Sequence, residues 1–294
     1  MSAGLRLARL SVPPVALAAV DEIATSAGAA VWADLEGDPD PVPVELTLPP
    51  DLDAEALTAG LSTVMEAFNL PRPEIAIETL PDCDWLAEVQ RSLPALTAGD
   101  FYVYGQHIAA PPPADKIALQ VEAALAFGSG HHQSTQACLE TVSDLAAEGW
   151  QAAKVLDMGC GSGILAMAAA KLWPCQALAA DVHAVSVEVA RENSALNAVS
   201  HQVTTLVSDG YAAPQIAEQA PYHLIFANIL AKPLIGLAPD LARHLAPGGR
   251  AILAGLLIRE SADVLAAHEA QGLTLLSSRD LDPWRCLLLE RPSA

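Results

Sequence analysis

Apolar residues recur with two different periods over the first 80 residues of the chain. Strand-like alternation covers 5–11, 29–35, 42–48 and 75–79, and helix-like periodicity covers 15–26 and 54–69. A turn-rich stretch at 37–41 separates the second strand from the third. The order βαββαβ predicts a small ferredoxin-like α+β domain. No candidate catalytic or ligand-binding residues are apparent in the sequence of this domain.

From residue 154 onward, strand-like and helix-like segments alternate regularly. Strands are predicted near 154–158, 177–181, 202–207, 223–228, 250–255, 273–278 and 284–289. This alternation predicts an α/β fold with a doubly wound, seven-stranded Rossmann-like sheet, largely parallel. The last connection is short, which favours a final antiparallel strand. Upstream, 84–92 is expected to form a helical connector, and 102–104 with 117–121 a short strand pair.

A glycine-rich turn follows the first strand of this second region. Asp157 ends the strand, and Gly159, Gly161 and Gly163 come at alternate positions before a helix expected to begin near Ser162. Glycines let a ligand approach the backbone closely, and the helix start presents unpaired N–H groups and a positive dipole end. The pattern is typical of the nucleotide-binding turn of methyltransferases that use S-adenosylmethionine. Asp157 would accept from the amino group of the methionine moiety, and it also suits capping of the turn.

A second ligand class remains open on these residues. Asp181 ends the next strand, where a carboxylate accepts from ribose hydroxyls in both S-adenosylmethionine and NAD sites. Gly161, Gly163 and Ala166 also satisfy the relaxed dinucleotide fingerprint, so an NAD-dependent dehydrogenase is the alternative. Asp157 argues against it, because a pyrophosphate-binding turn gains nothing from an additional negative charge.

Two later strand ends carry polar side chains. Asp209 could reach an adenine amino group, although Asp209-Gly210 is equally a routine turn. Asn228 can accept a hydrogen bond from a substrate amine and orient the amine lone pair toward a methyl carbon. Its alternative role is that of a helix N-cap. Asn228 is therefore the candidate catalytic residue.

The stretch Phe127 to Thr135 precedes a helix expected to start near Ser134. Its glycines suggest a lid over the cofactor, and a tight turn would look the same. His131 and His132 are adjacent, and neighbours in an extended segment point to opposite sides. Since no Cys or carboxylate cluster accompanies them, no metal is expected. Cys160 is expected to be a small filler rather than a nucleophile.

Composition indicates which classes of partner and which cellular compartment suit the protein. The formal net charge of −20 disfavours direct nucleic-acid binding and suits a basic protein segment, and solubility alone would also explain it. The five cysteines have no metal-like spacing and are expected to be reduced, buried thiols of a cytoplasmic protein. Pro13-Pro14 interrupts any signal-peptide core, and no apolar run reaches the roughly 20 residues that span a bilayer.

Together these segments resemble the ribosomal protein L11 methyltransferase family, also called protein methyltransferase A. The matches lie at 127–135, 155–168, 193–197, 228–231 and 245–249. The chain departs from the family at Glu122-Ala123-Ala124, where the family usually has Asp-Pro-Gly, and at Gln133-Ser134, where it usually has Pro or Glu followed by Thr.

The resemblance implies trimethylation of lysine and N-terminal amines of ribosomal protein L11, with S-adenosylmethionine as cofactor. It implies a substrate-recognition domain at 1–80, a helical linker at 81–99 and a methyltransferase domain at 100–294. A monomer with neither nucleic-acid nor membrane partners is expected. The other candidates are a methyltransferase for another lysine or a small amine, and a non-catalytic binding protein. The implied cofactor-binding residues are Phe127, Gly130, His132, Thr135, Asp157, Gly159, Gly161, Gly163, Asp181, Asp209 and Asn228.

Overall fold

The computed structural model describes residues 6–33, 39–49, 52–68, 70–72, 75–79, 94–122 and 133–293. It divides into two compact units, Met1–Trp85 and Leu86–Ala294. Most of the predicted helical linker falls at 80–93, outside the described residues. The two predicted boundaries, at 80/81 and 99/100, remain predictions.

The first unit is built from four strands and two helices. In chain order these are β1 (Arg6–Val12), α1 (Leu17–Ser26), β2 (Ala30–Ala33), β3 (Val42–Leu48), α2 (Ala54–Ala67) and β4 (Ala76–Thr79). The sheet order is β2-β3-β1-β4, with β1 antiparallel to both β3 and β4. This arrangement confirms the ferredoxin-like prediction. Alternate residues of β3 (Val42, Val44, Leu46, Leu48) are buried against the helices.

The second unit begins with a three-stranded sheet. It contains β5 (Leu96–Ala98), β6 (Phe101–Tyr104) and β7 (Ile117–Gln120) in the order β5-β6-β7. The β6–β7 pair is the predicted strand pair, and it is parallel. Strand β5 was not predicted, because three residues are too few to show an alternating pattern.

The seven-stranded sheet forms the main body of this unit. Its elements are α3 (Gln133–Ala147), β8 (Lys154–Met158), α4 (Ile164–Leu172), β9 (Gln176–Asp181), α5 (Ala184–Leu196), β10 (Val203–Val207), α6 (Pro214–Gln219), β11 (Tyr222–Asn228), α7 (Ala231–His244), β12 (Leu245–Leu257), α8 (Ser261–Glu269), β13 (Thr274–Leu281) and β14 (Trp284–Glu290). The order is β10-β9-β8-β11-β12-β14-β13, and β14 is antiparallel to β12 and β13. The doubly wound sheet and its antiparallel last strand are confirmed.

Both faces of this sheet are buried. On β8, Val155 packs in one core cluster and Leu156 in the other, and the same alternation holds along β9 and β11. Strands covered on both faces explain the near-continuous apolar runs in the sequence. Alanine supplies much of the packing, since most of α4 consists of buried small or aliphatic residues.

Two composition-based expectations can be compared with the structure. The thiols of Cys138, Cys160, Cys175 and Cys286 are free and buried, as predicted. Cys83 lies outside the described residues. Among the helices of the described ranges, none is both long and apolar enough to cross a bilayer.

Candidate functional site

Three of the predicted site residues come together at the carboxyl ends of parallel strands in the seven-stranded sheet. Strand β8 lies between β9 and β11, and all three are parallel. Their carboxyl ends carry Asp157, Asp181 and Asn228 respectively. The chain proceeds from β8 toward β10 on one side and from β11 toward β12 on the other. The crevice beside β8 is thus a topological switch point, which is where open α/β sheets bind their ligands.

The glycine-rich turn is folded tightly over the end of β9. The backbone N–H groups of Gly159 and Cys160 both donate to Ala180 O, at 2.8 and 3.0 Å. Gly159, Gly161 and Gly163 have φ angles of 70°, 52° and 78°, in the left-handed region that favours glycine. A Cβ on Gly159 would lie 2.3 Å from the Cγ2 atom of Ile229. The turn therefore needs glycine for both conformation and space.

Asp157 is buried beneath this turn. Its Oδ2 atom accepts a 3.0 Å hydrogen bond from the N–H of Ala166 in the first turn of α4, so the capping role is real. Burial, with a further contribution from the charge of Asp181, raises the pKa of Asp157 from 3.8 to about 7. A cationic group of a ligand would favour the ionised carboxylate.

Asp181 ties the turn to the next strand. Its Oδ2 accepts from Gly161 N and its Oδ1 from His183 N, both at 2.9 Å. A carboxylate offers about four acceptor positions, so two remain for ribose hydroxyls.

Asn228 is held by Thr135. Its Nδ2 atom donates to the Thr135 hydroxyl at 3.1 Å, and Thr135 is buried within α3. The bond orients the amide, so that Oδ1 is the atom available to accept from a ligand. The N-cap alternative for Asn228 is wrong, since Leu230 occupies the N-cap of α7. The helix expected to start near Ser134 is α3, which begins at Gln133.

The other predicted site residues either are exposed or lie outside the described residues. Asp209 is exposed after β10, where its carbonyl accepts from Ala212 N at 3.1 Å as part of a turn. Phe127, Gly130 and His132 lie outside the described residues, as does the predicted lid. Burial raises the pKa of the Cys160 thiol well above its usual value, which supports the filler role. No cluster of three or more metal-ligating side chains occurs in the part of the chain that the structure describes.

Comparison with known proteins identifies the family. The model of the family described as "Ribosomal protein L11 methyltransferase (PrmA)" matches residues 31–292. The chain belongs to the ribosomal protein L11 methyltransferase family.

Individual relatives agree. The chain is 42% identical over 218 residues to a ribosomal protein L11 methyltransferase of Chelativorans sp., covering 74% of this chain and 75% of the relative. It is 42% identical over 228 residues to that of Bradyrhizobium diazoefficiens, covering 78% and 77%. The crystal structure of a ribosomal protein L11 methylase from Lactobacillus delbrueckii subsp. bulgaricus superimposes with a TM-score of 0.60 and 28% identity, over 67% of this chain and 98% of that one.

Membership in the L11 methyltransferase family decides between the two ligand classes. The protein is a methyltransferase that uses S-adenosylmethionine, and the dehydrogenase alternative is rejected. The residues fit this donor on structural grounds: Asp157 is a buried carboxylate suited to a cation, and the glycines leave no Cβ over the turn. Bound S-adenosylmethionine supplies a methyl group made electrophilic by a sulfonium centre.

Proposed function

We propose that the enzyme transfers methyl groups from S-adenosylmethionine to lysine side-chain and N-terminal amines of ribosomal protein L11. The observation that carries the proposal is the Asn228–Thr135 hydrogen bond at the edge of the sheet that also bears Asp157 and Asp181. The names of the relatives supply the substrate. The net charge of −20 suits a lysine-rich protein partner.

The donor would be held by groups at the ends of β8 and β9 and after β10. Asp157 would accept from the ammonium of the methionine moiety, and Asp181 from ribose hydroxyls. Asp209 would accept from the adenine amino group. Phe127, Gly130 and His132 are assigned to the donor by resemblance to the family alone.

The acceptor amine would be oriented by Asn228. With Nδ2 engaged by Thr135, Oδ1 accepts an N–H of the neutral amine and directs the nitrogen lone pair toward the methyl carbon. Holding two reactants in such a near-attack geometry can lower a barrier by roughly 7–11 kcal/mol. A lysine must lose its proton first, and exclusion of water around the amine would lower its pKa.

The organisation of the chain is proposed to follow the family. Residues 1–80 would recognise the substrate, 81–99 would link the domains, and 100–294 would carry methyl transfer. The chain is proposed to act as a monomer. The free thiols of the described residues suit a reducing compartment such as the cytoplasm.

Labelling of ribosomal proteins tests the substrate. The full chain would be incubated with methyl-labelled S-adenosylmethionine and ribosomal proteins from a strain lacking its own L11 methyltransferase. One labelled band at the size of L11 is expected. Label on a different protein would show another substrate, and binding of the donor without any label would favour a non-catalytic protein.

The role of Asn228 is tested separately. Asn228→Ala should reduce turnover at saturating S-adenosylmethionine by about 10²-fold, the loss expected from a misplaced reactant. The dissociation constant for the donor, measured by calorimetry, should change far less. Equal losses of turnover and affinity would contradict an orienting role.

A further inference from the structure

Two asparagines lie buried behind the glycine-rich turn, Asn193 within α5 and Asn197 as its C-cap. Asn193 is fully buried and Asn197 is 7% exposed. They stand four residues apart, so their side chains project from the same face of the helix about 6 Å apart along its axis. Their hydrogen bonds reach two separate parts of the chain.

On one side these amides cover the open edge of β7. Asn197 pairs with both backbone groups of Gln120: Oδ1 accepts from its N–H at 3.0 Å, and Nδ2 donates to its carbonyl at 2.6 Å. Asn193 Oδ1 accepts from the N–H of Glu122 at 2.9 Å. Two residues of strand span about 6.6 Å, close to the spacing of the two amides. The two amides thus bond to the backbone at the end of β7 and just beyond it, as a neighbouring strand would.

On the other side only Asn193 reaches the turn. Its Nδ2 atom donates to the carbonyl of Ser162 at 3.0 Å. The close approach depends on Gly163, where a Cβ would lie 2.9 Å from the Cβ of Ala190 on α5. Asn197 makes its further contacts within the helix and with the Sδ atom of Met167, not with the turn.

The contact of Asn193 completes the fixing of the turn. The peptide unit between Cys160 and Gly161 is held at its N–H by Asp181 and at its carbonyl by Gly163 N. The unit between Ser162 and Gly163 donates that N–H bond to Cys160, and its carbonyl is held by Asn193. Both peptide units are therefore hydrogen-bonded at the N–H and at the carbonyl. In the second unit, Asn193 provides the bond to the carbonyl.

We propose that Asn193 is a positioning residue, which sets the conformation of the donor-binding turn and joins it to the backbone at Glu122. The proposal rests on the proposed binding of S-adenosylmethionine at this turn. Without the amide donor, the buried carbonyl of Ser162 loses its hydrogen bond from Asn193 and the turn reorients. Asn197 holds β7 in the same way but leaves the turn untouched, which makes it the matched control.

The test compares Asn193→Asp with Asn197→Asp in the full chain. Each substitution keeps the Oδ1 acceptor, which serves Glu122 N in the first case and Gln120 N in the second. Each replaces the amide donor with a carboxylate oxygen. Calorimetry with S-adenosylmethionine should show that Asn193→Asp binds at least about tenfold more weakly, the scale of one lost hydrogen bond to a buried group. Asn197→Asp should bind like the wild type. Thermal unfolding should show both variants destabilised by similar amounts.

Kinetics provide the second measurement. Asn193→Asp should raise KM for S-adenosylmethionine while turnover at saturating donor stays near the wild-type value, because Asn228 is unaltered. Should the aspartate variants fail to fold, the alanine pair at the same positions is expected to give the same contrast.

Three outcomes would overturn the inference. Unchanged donor affinity in Asn193→Asp would show that the turn does not need this contact. Equal weakening in both variants would assign the loss to general damage of α5. If the wild-type chain itself fails to bind S-adenosylmethionine, the proposed function falls first and the inference with it.

Discussion

Replacing Asp157 with asparagine should make the free protein more stable at alkaline pH while weakening donor binding. The substitution preserves shape and keeps an oxygen that can accept from Ala166 N, so it removes little beyond the charge. The carboxyl group of Asp157 is 1% exposed, and its burial raises the pKa from 3.8 to about 7. An ionised carboxylate in this position is held at a cost to folding.

The size of the effect follows from that pKa. Each unit of difference between the folded and unfolded pKa is worth about 1.4 kcal/mol, so the full penalty of ionisation is about 4 kcal/mol. Because the folded pKa is the higher one, the protonated carboxyl group favours folding in full below the unfolded pKa of 3.8. This contribution to stability is lost as the pH rises through about 7. Between roughly pH 5.5 and pH 8 the wild type should lose about 2 kcal/mol from this group alone.

Urea denaturation at these two pH values measures the effect. The free energy of unfolding of Asp157→Asn, relative to that of the wild type, should be about 2 kcal/mol larger at the higher pH than at the lower. Asp115→Asn removes one exposed negative charge and serves as the control. Calorimetry at the higher pH should show S-adenosylmethionine binding the Asp157 variant at least about tenfold more weakly, as expected for a lost charge-assisted hydrogen bond.

The same difference in stability at both pH values would refute the reasoning, since burial would then impose no penalty on the ionised group. Unchanged donor affinity would separately remove Asp157 from the binding site. Stability gained together with affinity lost is the pattern expected of a functional group held in an unfavourable place.

Three further predictions concern the same edge of the sheet. Thr135→Val removes the hydroxyl that holds Asn228 and should lower turnover about tenfold or more, with a smaller loss of donor affinity, whereas Thr135→Ser should retain activity. Gly255→Ala would bring a Cβ to 2.6 Å from the carbonyl oxygen of Ile229 at a φ of +78°, so a melting experiment should show destabilisation of at least about 1–2 kcal/mol, with turnover reduced as well. Donor affinity should rise with pH up to about pH 7, since Asp157 must ionise to bind a cation, and should fall again when the donor's own ammonium deprotonates, at a pKa of about 7.7–8.0; a flat profile in calorimetry would contradict this.

Much of the site could be predicted because parallel strands align their ends. The acids and the amide at Asp157, Asp181 and Asn228 each close a strand in the sequence, and the doubly wound topology brings those strands together. The glycine spacing then indicated which strand begins the turn. Each of these features is local, so it can be read from a short window of the chain.

The contacts that hold the site together were not predictable in the same way. Asn193 meets Glu122 across 71 residues, and Asn228 meets Thr135 across 93. Neither pairing produces a periodic pattern, and an asparagine in a helix is by itself an ordinary surface residue. Ile229 is likewise fitted against both Gly159 and Gly255 only because β11 lies between β8 and β12. Such pairings depend on packing between elements.

The central claim is methyl transfer to amines of ribosomal protein L11. The most direct measurement is the mass of purified, unmodified L11 after incubation with the full chain and S-adenosylmethionine, followed by peptide mapping. Methyl groups on lysine and N-terminal amines, added about 10²-fold more slowly when Asn228→Ala replaces the wild type, are the predicted result. An unchanged L11 mass under conditions in which the enzyme binds the donor would contradict the claim.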